Sequence, residues 1–443
     1  MCATYAQNIM VSTSPNSYGA EGLAYWFIFS ARDRKRVADY WNTLGHDVDT
    51  ENFFASLEDL KGFPGNVWVV EQRVGDFVII PPLGAHQVYN HGGLTIKAAW
   101  NRTTIDTLEL SISETLPAYR VVCRDEQYKN KAIIHQSLLS LSRFPPQSLL
   151  SHPFRHDSFM RLFRLYNSLL IDEFIPADYY GNIRMEKISQ EFNVACSFCR
   201  TNIWNRFLTC RQCLQADSDG DIDSYDICME CFARGRSCRD VTGLEWVQQE
   251  KWSDLMSLWE RCRGIYQFLG GNDIDDFHVS TTISLGRKTL AHVCVEELTR
   301  RPNPHNSSQI IPEGLCHTCK VRHSKWKMAY CTREGCHRAY CFGNLFRQFD
   351  EDPFSVLSKL EGYTCPVCRG ICNCGACRKR KDLIGYVPKL RSVGVNPKLV
   401  ADRRSVESLV ESNRTNTRVS SLSSLRCWFL FIYCGRQLMI VAS

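Results

Sequence analysis

The stretch YTCPVCRGICNCGACRKRK, residues 363–381, places five cysteines within nineteen residues and closes on four consecutive basic side chains. Clustered cysteines make disulfide frameworks in small secreted chains whose cores are too small to hold a fold. This chain has 443 residues, ample for a buried core, and its start, MCATYAQNIM, lacks the charged and then apolar segments of a secretory leader. The expected compartment is reducing. There, closely spaced thiolates are best read as ligands for zinc, which accepts four sulfur or imidazole donors in a tetrahedron.

Seventeen of the 23 cysteines fall in two such blocks. The first is Cys196, Cys199, Cys210, Cys213, Cys228, Cys231 and Cys238, with three Cys-x-x-Cys pairs. Seven ligands serve two ions with one donor missing, and Cys262, His278 or solvent are the open choices for the eighth. The second block is Cys316, Cys319, Cys331, Cys336, Cys341, Cys365, Cys368, Cys372, Cys374 and Cys377. Together the blocks imply four or five zinc ions. Their role is structural, because four protein ligands leave no position open for water or substrate. Between the pairs of the first block, DSDGDIDSYD has the acidic content of a calcium loop. Its glycine is misplaced and the closing glutamate is absent, so it reads as a solvated loop. The scattered Cys2, Cys123, Cys262, Cys294, Cys427 and Cys434 read as small buried apolar residues.

Charge is uneven along the chain. The whole carries +6, whereas Leu315 to Arg404 holds eighteen Lys or Arg against seven Asp or Glu, a net +11. Such a surface favours a polyanion. Arg378, Lys379, Arg380 and Lys381 stand directly after the last cysteine, and the charge run alone admits phosphate contact, a nuclear import signal or a plain solvated surface. No apolar run is long enough to cross a membrane, and the tail segment CWFLFIYC, 427–434, is too short.

The text CHTCK, YCTREGCHRAYC and YTCPVCRGICNCGACRKR closely resembles the cysteine-rich zinc-finger domain of the monoamine-oxidase A repressor, shared with the cell-division-cycle-associated regulators. The likeness implies a nuclear module that associates with DNA or chromatin. It has one departure: the family carries Cys-x-x-Cys where this chain has Cys341 followed by Asn344, a poor zinc ligand. Either His317, His323 or His337 substitutes, or one zinc site is weakened. Upstream, CSFCRTNIWNRFLTCRQC with YDICMEC resembles the RING-like or ZZ-like finger of the histone-demethylase branch of the Jumonji C (JmjC) family.

Residues 66–110 run through short β-rich segments, VWVV, DFVII and LTIKAAW, separated by Gly, Pro and Asn turns, as in a β-barrel or jelly roll. Within them GDFVIIPPLGAHQVYN resembles the late strands of the JmjC domain, and the resemblance extends back through AYWFIFS and QNIMVS. It implies an oxygenase fold that uses Fe(II) and 2-oxoglutarate, with iron held by an early His-x-Asp/Glu pair and a later histidine. His86 matches the later histidine, Asn8 a polar residue near 2-oxoglutarate, and Lys97 a partner for the distal carboxylate; Ala24 stands where some demethylases have a lysine. The early pair would fall just before MCATYAQNIM, so the domain reads as shortened at its amino end and its iron site as incomplete. No catalytic residue is assigned.

Residues 136–190 are helical and apolar-periodic, as in FMRLFRLYNSLL, 159–170, and are expected to pack on the barrel. VQQEKWSDLMSLWERCRGIYQFL, 247–269, sets Trp252, Leu255, Met256, Trp259 and Tyr266 on one helical face, suited to supporting the zinc modules. The expected organisation is a multi-domain α+β chain: a partial double-stranded β-helix (1–135), helices (136–190), a RING/ZZ-like finger (191–245), a helical linker (246–300), a cysteine-rich finger (313–392) and a disordered tail (393–443). Two functions fit. One is a nuclear, chromatin-associated regulator related to JmjC histone lysine demethylases; the other is a non-catalytic, zinc-dependent reader. Histone tails, DNA or chromatin would be the partners of either, with no membrane.

Overall fold

The computed structural model describes residues 3–48, 53–181, 183–216, 220, 222–240, 243–274, 277, 286–301, 313–380, 382, 384–388, 400–410 and 437–441. Two compact units divide the chain: Met1–Ala118 with Thr417–Ser443, and Tyr119–Asn416.

Alternation of apolar and polar residues in the first unit yields strands β1 (Tyr5–Thr13), β2 (Leu23–Phe29), β3 (Val67–Gln72), β4 (Phe77–Ile80), β5 (His86–His91) and β6 (Thr95–Arg102). They form two antiparallel sheets, β6-β1-β4 and β3-β2-β5. Met10, Val78 and Ile80 from the first meet Ala24 and Trp26 from the second in a shared apolar core. This is the cupin-like sandwich expected of a JmjC domain. Edge strands β3 and β4 leave Trp68, Val69, Phe77 and Ile79 exposed.

The second unit opens with helices. The longest, Pro153–Glu173, starts on a proline whose missing N–H costs nothing at a helix N-terminus. It buries Phe159, Leu162, Phe163, Tyr166, Leu169 and Leu170 at helical spacing. Helix Trp252–Phe268 packs on it, with Trp259 and Tyr266 against Phe163 and the Tyr166 hydroxyl donating to the Leu255 carbonyl at 3.2 Å. Leu255, Trp259 and Tyr266 are buried as expected; Trp252 and Met256 are half-buried. The helices of 136–190 thus group with the zinc modules rather than with the barrel. The apolar face of the longest is covered in part by helix Trp252–Phe268.

That finger is a mixed sheet in the order β7 (Met185–Lys187), β11 (Leu244–Gln248), β8 (Phe207–Ala216), β9 (Ile222–Cys228), with a separate short β10 at Ser237–Cys238. The second finger is built from two hairpins, β12 (Glu313–Leu315) with β13 (Arg322–Ser324) and β14 (Met328–Tyr330) with β15 (Ala339–Cys341), followed by helix Phe342–Phe349.

Residues 400–410, expected in a disordered tail, are packed. Ser405–Val406 forms β16 beside β10, Arg404 pairs with Asp402 and Asp223, and Leu409 and Val410 are buried. Gly235, at φ 88°, makes room: a Cβ there would stand 2.5 Å from the Cβ of Leu409. Gln437–Val441 forms a further strand, β17, parallel to β6, so the tail reading fails there also. The rest of the expected tail, with Cys427 and Cys434, lies outside the described residues, as do Cys2, Lys381 and residues 217–219 and 221 of the acidic insert.

Candidate metal centres and nucleic-acid interface

Zinc lengths of about 2.3 Å to sulfur and 2.0–2.1 Å to nitrogen fix the edges of a tetrahedral site at about 3.8 Å for two sulfurs and about 3.5 Å for sulfur and nitrogen. The thiols of this chain are already spaced that way. Cys196, Cys199, Cys228 and Cys231 converge in one fully buried group, with Cys199 and Cys228 sulfurs 3.8 Å apart. Cys331, Cys336, Cys365 and Cys368 form a second, with edges of 3.9 Å (Cys331–Cys368) and 3.8 Å (Cys336–Cys365). In a third, His317 joins Cys372, Cys374 and Cys377, its Nε2 lying 3.4 Å from the sulfurs of both Cys374 and Cys377. Two further groups have three thiols each: Cys210, Cys213, Cys238 and Cys316, Cys319, Cys341. Five groups of soft donors, three of them with edges of tetrahedral length, suit zinc, and all seventeen block cysteines belong to them.

The fingers interleave their ligands. In the first, the outer pairs share one group, while the middle pair meets Cys238 across the β8–β9 hairpin. Of the choices for an eighth donor, Cys262 is excluded: it is buried in helix Trp252–Phe268, beside Ser142. His278 lies outside the described residues. Cys123, Cys262 and Cys294 are buried and outside every group, as expected.

The first group has an electrostatic support that the sequence did not disclose. Glu230, inside the Cys228–Cys231 turn, accepts from Arg120 and Lys131, each at 2.8 Å. Burial opposes its ionisation, but Arg120 and then Lys131 hold its carboxyl well below the usual range. Arg120 also lies near Cys228, Cys199 and Cys231, so one cation offsets both a carboxylate and the thiolate group.

In the second finger, Cys377 opens a single 3-10 turn, Cys377–Lys379, and the exposed Arg378, Lys379 and Arg380 follow the ligand directly. Arg380 is partly neutralised by Asp382. His317 belongs to the turn that carries exposed Lys320, and Lys320 and Arg338 are its charged neighbours. A metal held by His317 and Cys377 therefore clamps two basic loops at one place, a footprint suited to phosphates.

In the barrel, the residues nominated by sequence share the interior. His86 Nδ1–H donates to the Gly84 carbonyl at 3.0 Å, which leaves Nε2 free to ligate. Its ring stacks on Trp26 at 6.0 Å, and Lys97 Nζ lies 5.0 Å from that same indole. Lys97 Nζ is buried with no hydrogen-bond partner, and burial lowers its pKa to about 8. An unpaired buried ammonium is the donor set for a carboxylate, so Lys97 fits the distal end of 2-oxoglutarate. Asn8 Oδ1 accepts from Gln72 at 3.1 Å, and Gln72 Oε1 accepts from Trp26 Nε1 at 2.8 Å. Gln72 was missed, although the alternation of VWVVEQ puts this one polar side chain on the inner face. Iron fits less well: no group of three ligating residues containing His86 exists among the described residues, and no His-x-Asp or His-x-Glu occurs in the sequence.

If Lys97 is kept for an anion, its titration reports it. With the barrel free of ligand, the ε-methyl resonance of reductively methylated Lys97 should titrate near 8, and added 2-oxoglutarate should move the midpoint upward, since an opposite charge favours the ammonium. A midpoint that ignores 2-oxoglutarate would remove Lys97 from the anion site.

These two architectures define a chain carrying a JmjC-type domain and a zinc-finger domain of the R1 type. Residues 10–101 match the family model described as JmjC domain, hydroxylase, and residues 310–391 that of the zinc-finger domain of monoamine-oxidase A repressor R1. Among individual proteins, C-module-binding factor A of Dictyostelium discoideum is 27% identical over 405 residues, covering 85% of this chain and 38% of that protein. Cell division cycle-associated 7-like protein of Homo sapiens is 38% identical over 70 residues, 15% of each chain. The chain thus spans well under two thirds of the length of these relatives. Among the described residues no helix is long and apolar enough to cross a membrane.

Proposed function

We propose that this chain is a zinc-organised, chromatin-associated transcription regulator of the nucleus, related to JmjC histone demethylases and holding duplex DNA by its phosphates through the second finger. The observation that carries this reading is the exposed run Arg378, Lys379, Arg380 set directly on a metal-ligating turn and clamped by His317 to the loop of Lys320. A net +11 over Leu315–Arg404 supplies the field that draws in a polyanion. The relative in Dictyostelium is itself named as a binding factor. Five zinc ions, one per cysteine group, are proposed to hold the two fingers.

The barrel's part in this reading is to bind rather than to oxidise. Lys97, Trp26 and Asn8 would receive 2-oxoglutarate or a similar dicarboxylate. His86 alone supplies no carboxylate to neutralise Fe(II), so no oxygenase step is assigned to the residues of this chain. The competing reading, a histone demethylase, is favoured by the orientation of His86 and the unpaired Lys97. The two are separated by incubating the purified chain with Fe(II), 2-oxoglutarate and methylated histone peptides. The expected result is no formaldehyde beyond that of His86→Ala, together with retained binding to duplex DNA. Formaldehyde release that His86→Ala abolishes would replace the binding reading with the catalytic one.

A further inference from the structure

We infer that the group Cys316, Cys319 and Cys341 takes zinc with His323 as its fourth ligand, while Asn344 serves only as a hydrogen-bond donor to the thiolates. The family that the second finger resembles places a cysteine at position 344, so this site must be completed differently here or remain one donor short.

Of the three histidines open to the role, His317 is already used with Cys372, Cys374 and Cys377. His337 is exposed. His323 remains, with Nε2 3.4 Å from the Cys319 sulfur, close to the sulfur–nitrogen edge of about 3.5 Å that a zinc tetrahedron requires. The backbone explains why it is there. The Cys316 N–H donates to Val321 at 3.0 Å and the Lys320 N–H to Cys316 at 3.1 Å, with Lys320 left-handed at φ 60°, so the chain reverses tightly around the two thiols. It returns as β13, which pairs His323 with Gly314 on the strand leading into Cys316. The reversal sets His323 beside Cys319, while its nitrogens stand outside the 4.8 Å cluster of the three thiols, so its ring must turn inward to complete a tetrahedron.

Asn344 does something else. Its Nδ2 lies 3.1 Å from the Cys341 sulfur and 3.8 Å from that of Cys316, while its Oδ1, the atom that could ligate, accepts from Gln348 at 3.2 Å. An amide N–H donor cannot bind the metal, but it stabilises thiolate charge from outside the coordination shell. Exchanging a thiolate for a neutral imidazole also leaves the site one negative charge lighter, in a region whose net charge is +11.

The test is zinc content per chain, by elemental mass spectrometry on the full-length protein. His323→Ala should hold one zinc fewer than wild type, and Asn344→Ala should hold the wild-type number. His323→Ala combined with Asn344→Cys should regain the lost ion, because a thiol at 344 supplies the missing donor. If His323→Ala sheds more than one ion, through collapse of the finger, the double variant decides: recovery supports the assignment and failure to recover overturns it. Full zinc content in His323→Ala would also overturn it.

Discussion

Stripping zinc from the intact chain should melt the unit Tyr119–Asn416. Three of its apolar cores are threaded by ligands: Cys196, Cys199, Cys210, Cys228, Cys231 and Cys238 lie in one, Cys336, Cys365, Cys372, Cys374 and Cys377 in another, and Cys316 and Cys341 in a third. Without metal, four buried thiols at tetrahedral spacing must either stay charged against each other or protonate without partners. Structural zinc contributes about 10–16 kcal/mol in small finger domains, as large as the whole stability of an ordinary domain, about 5–15 kcal/mol. Hydrogen exchange on the full chain reads the outcome. Amides of β8, β9 and the Phe342–Phe349 helix should lose protection on chelation, while β1 and β2, whose core contains no cysteine group, keep theirs. Retained protection in β8 and β9 after exhaustive chelation would show that zinc does not hold the fold.

Replacing Glu230 with alanine should cost about 3–5 kcal/mol, because it leaves Arg120 and Lys131 as buried cations without their shared carboxylate. The loss should appear at neutral pH as a lower thermal midpoint. It should exceed that of an exposed pair such as Lys35 with Asp39, where removal costs no more than about 1 kcal/mol. The pH dependence has a fixed sign. A carboxyl held below its usual value stabilises the fold above the unfolded pKa of 4.5, and that contribution is lost as pH falls through the lower folded value. The wild type and Glu230→Ala should therefore differ most at neutral pH and converge in strong acid. An alanine variant as stable as wild type at neutral pH would show that the carboxylate does not hold the Cys228–Cys231 turn in place.

Zinc-ligand spacing made the two fingers legible, since Cys-x-x-Cys turns are a local property of the chain. Which pairs share an ion was not legible. Cys196 and Cys199 skip the nearer pair and join Cys228 and Cys231 only because β8 and β9 fold back as a hairpin. That His317 joins the third group, rather than replacing the cysteine absent at 344, depends on a loop closed across 57 residues, from Cys374, which spacing cannot report. The serine-rich text around 405 reads as tail, yet Leu409 is fixed by a space that Gly235 leaves empty far upstream. In the barrel, the β-rich runs were visible from the local text, and His86 and Lys97 both stand against Trp26. The Asn8–Gln72–Trp26 network was not visible there, because it forms between sheets. Helix Pro153–Glu173 has one apolar stripe, and nothing in a stripe says whether it will be covered by a barrel or by another helix.

The salt dependence of duplex DNA binding tests the central claim most directly, measured by fluorescence anisotropy on the full-length, zinc-loaded chain. Each phosphate neutralised contributes about −0.9 to the slope of log K against log salt. Replacing Arg378, Lys379 and Arg380 together by alanine should flatten that slope by about 2 to 3, Arg380 contributing least because Asp382 already pairs with it. Chelating the zinc should abolish the difference between the two proteins, since the run is then no longer held on an ordered turn. A zinc-loaded chain that binds DNA with the same slope before and after the alanine substitutions, or that does not bind it at all, would contradict the account.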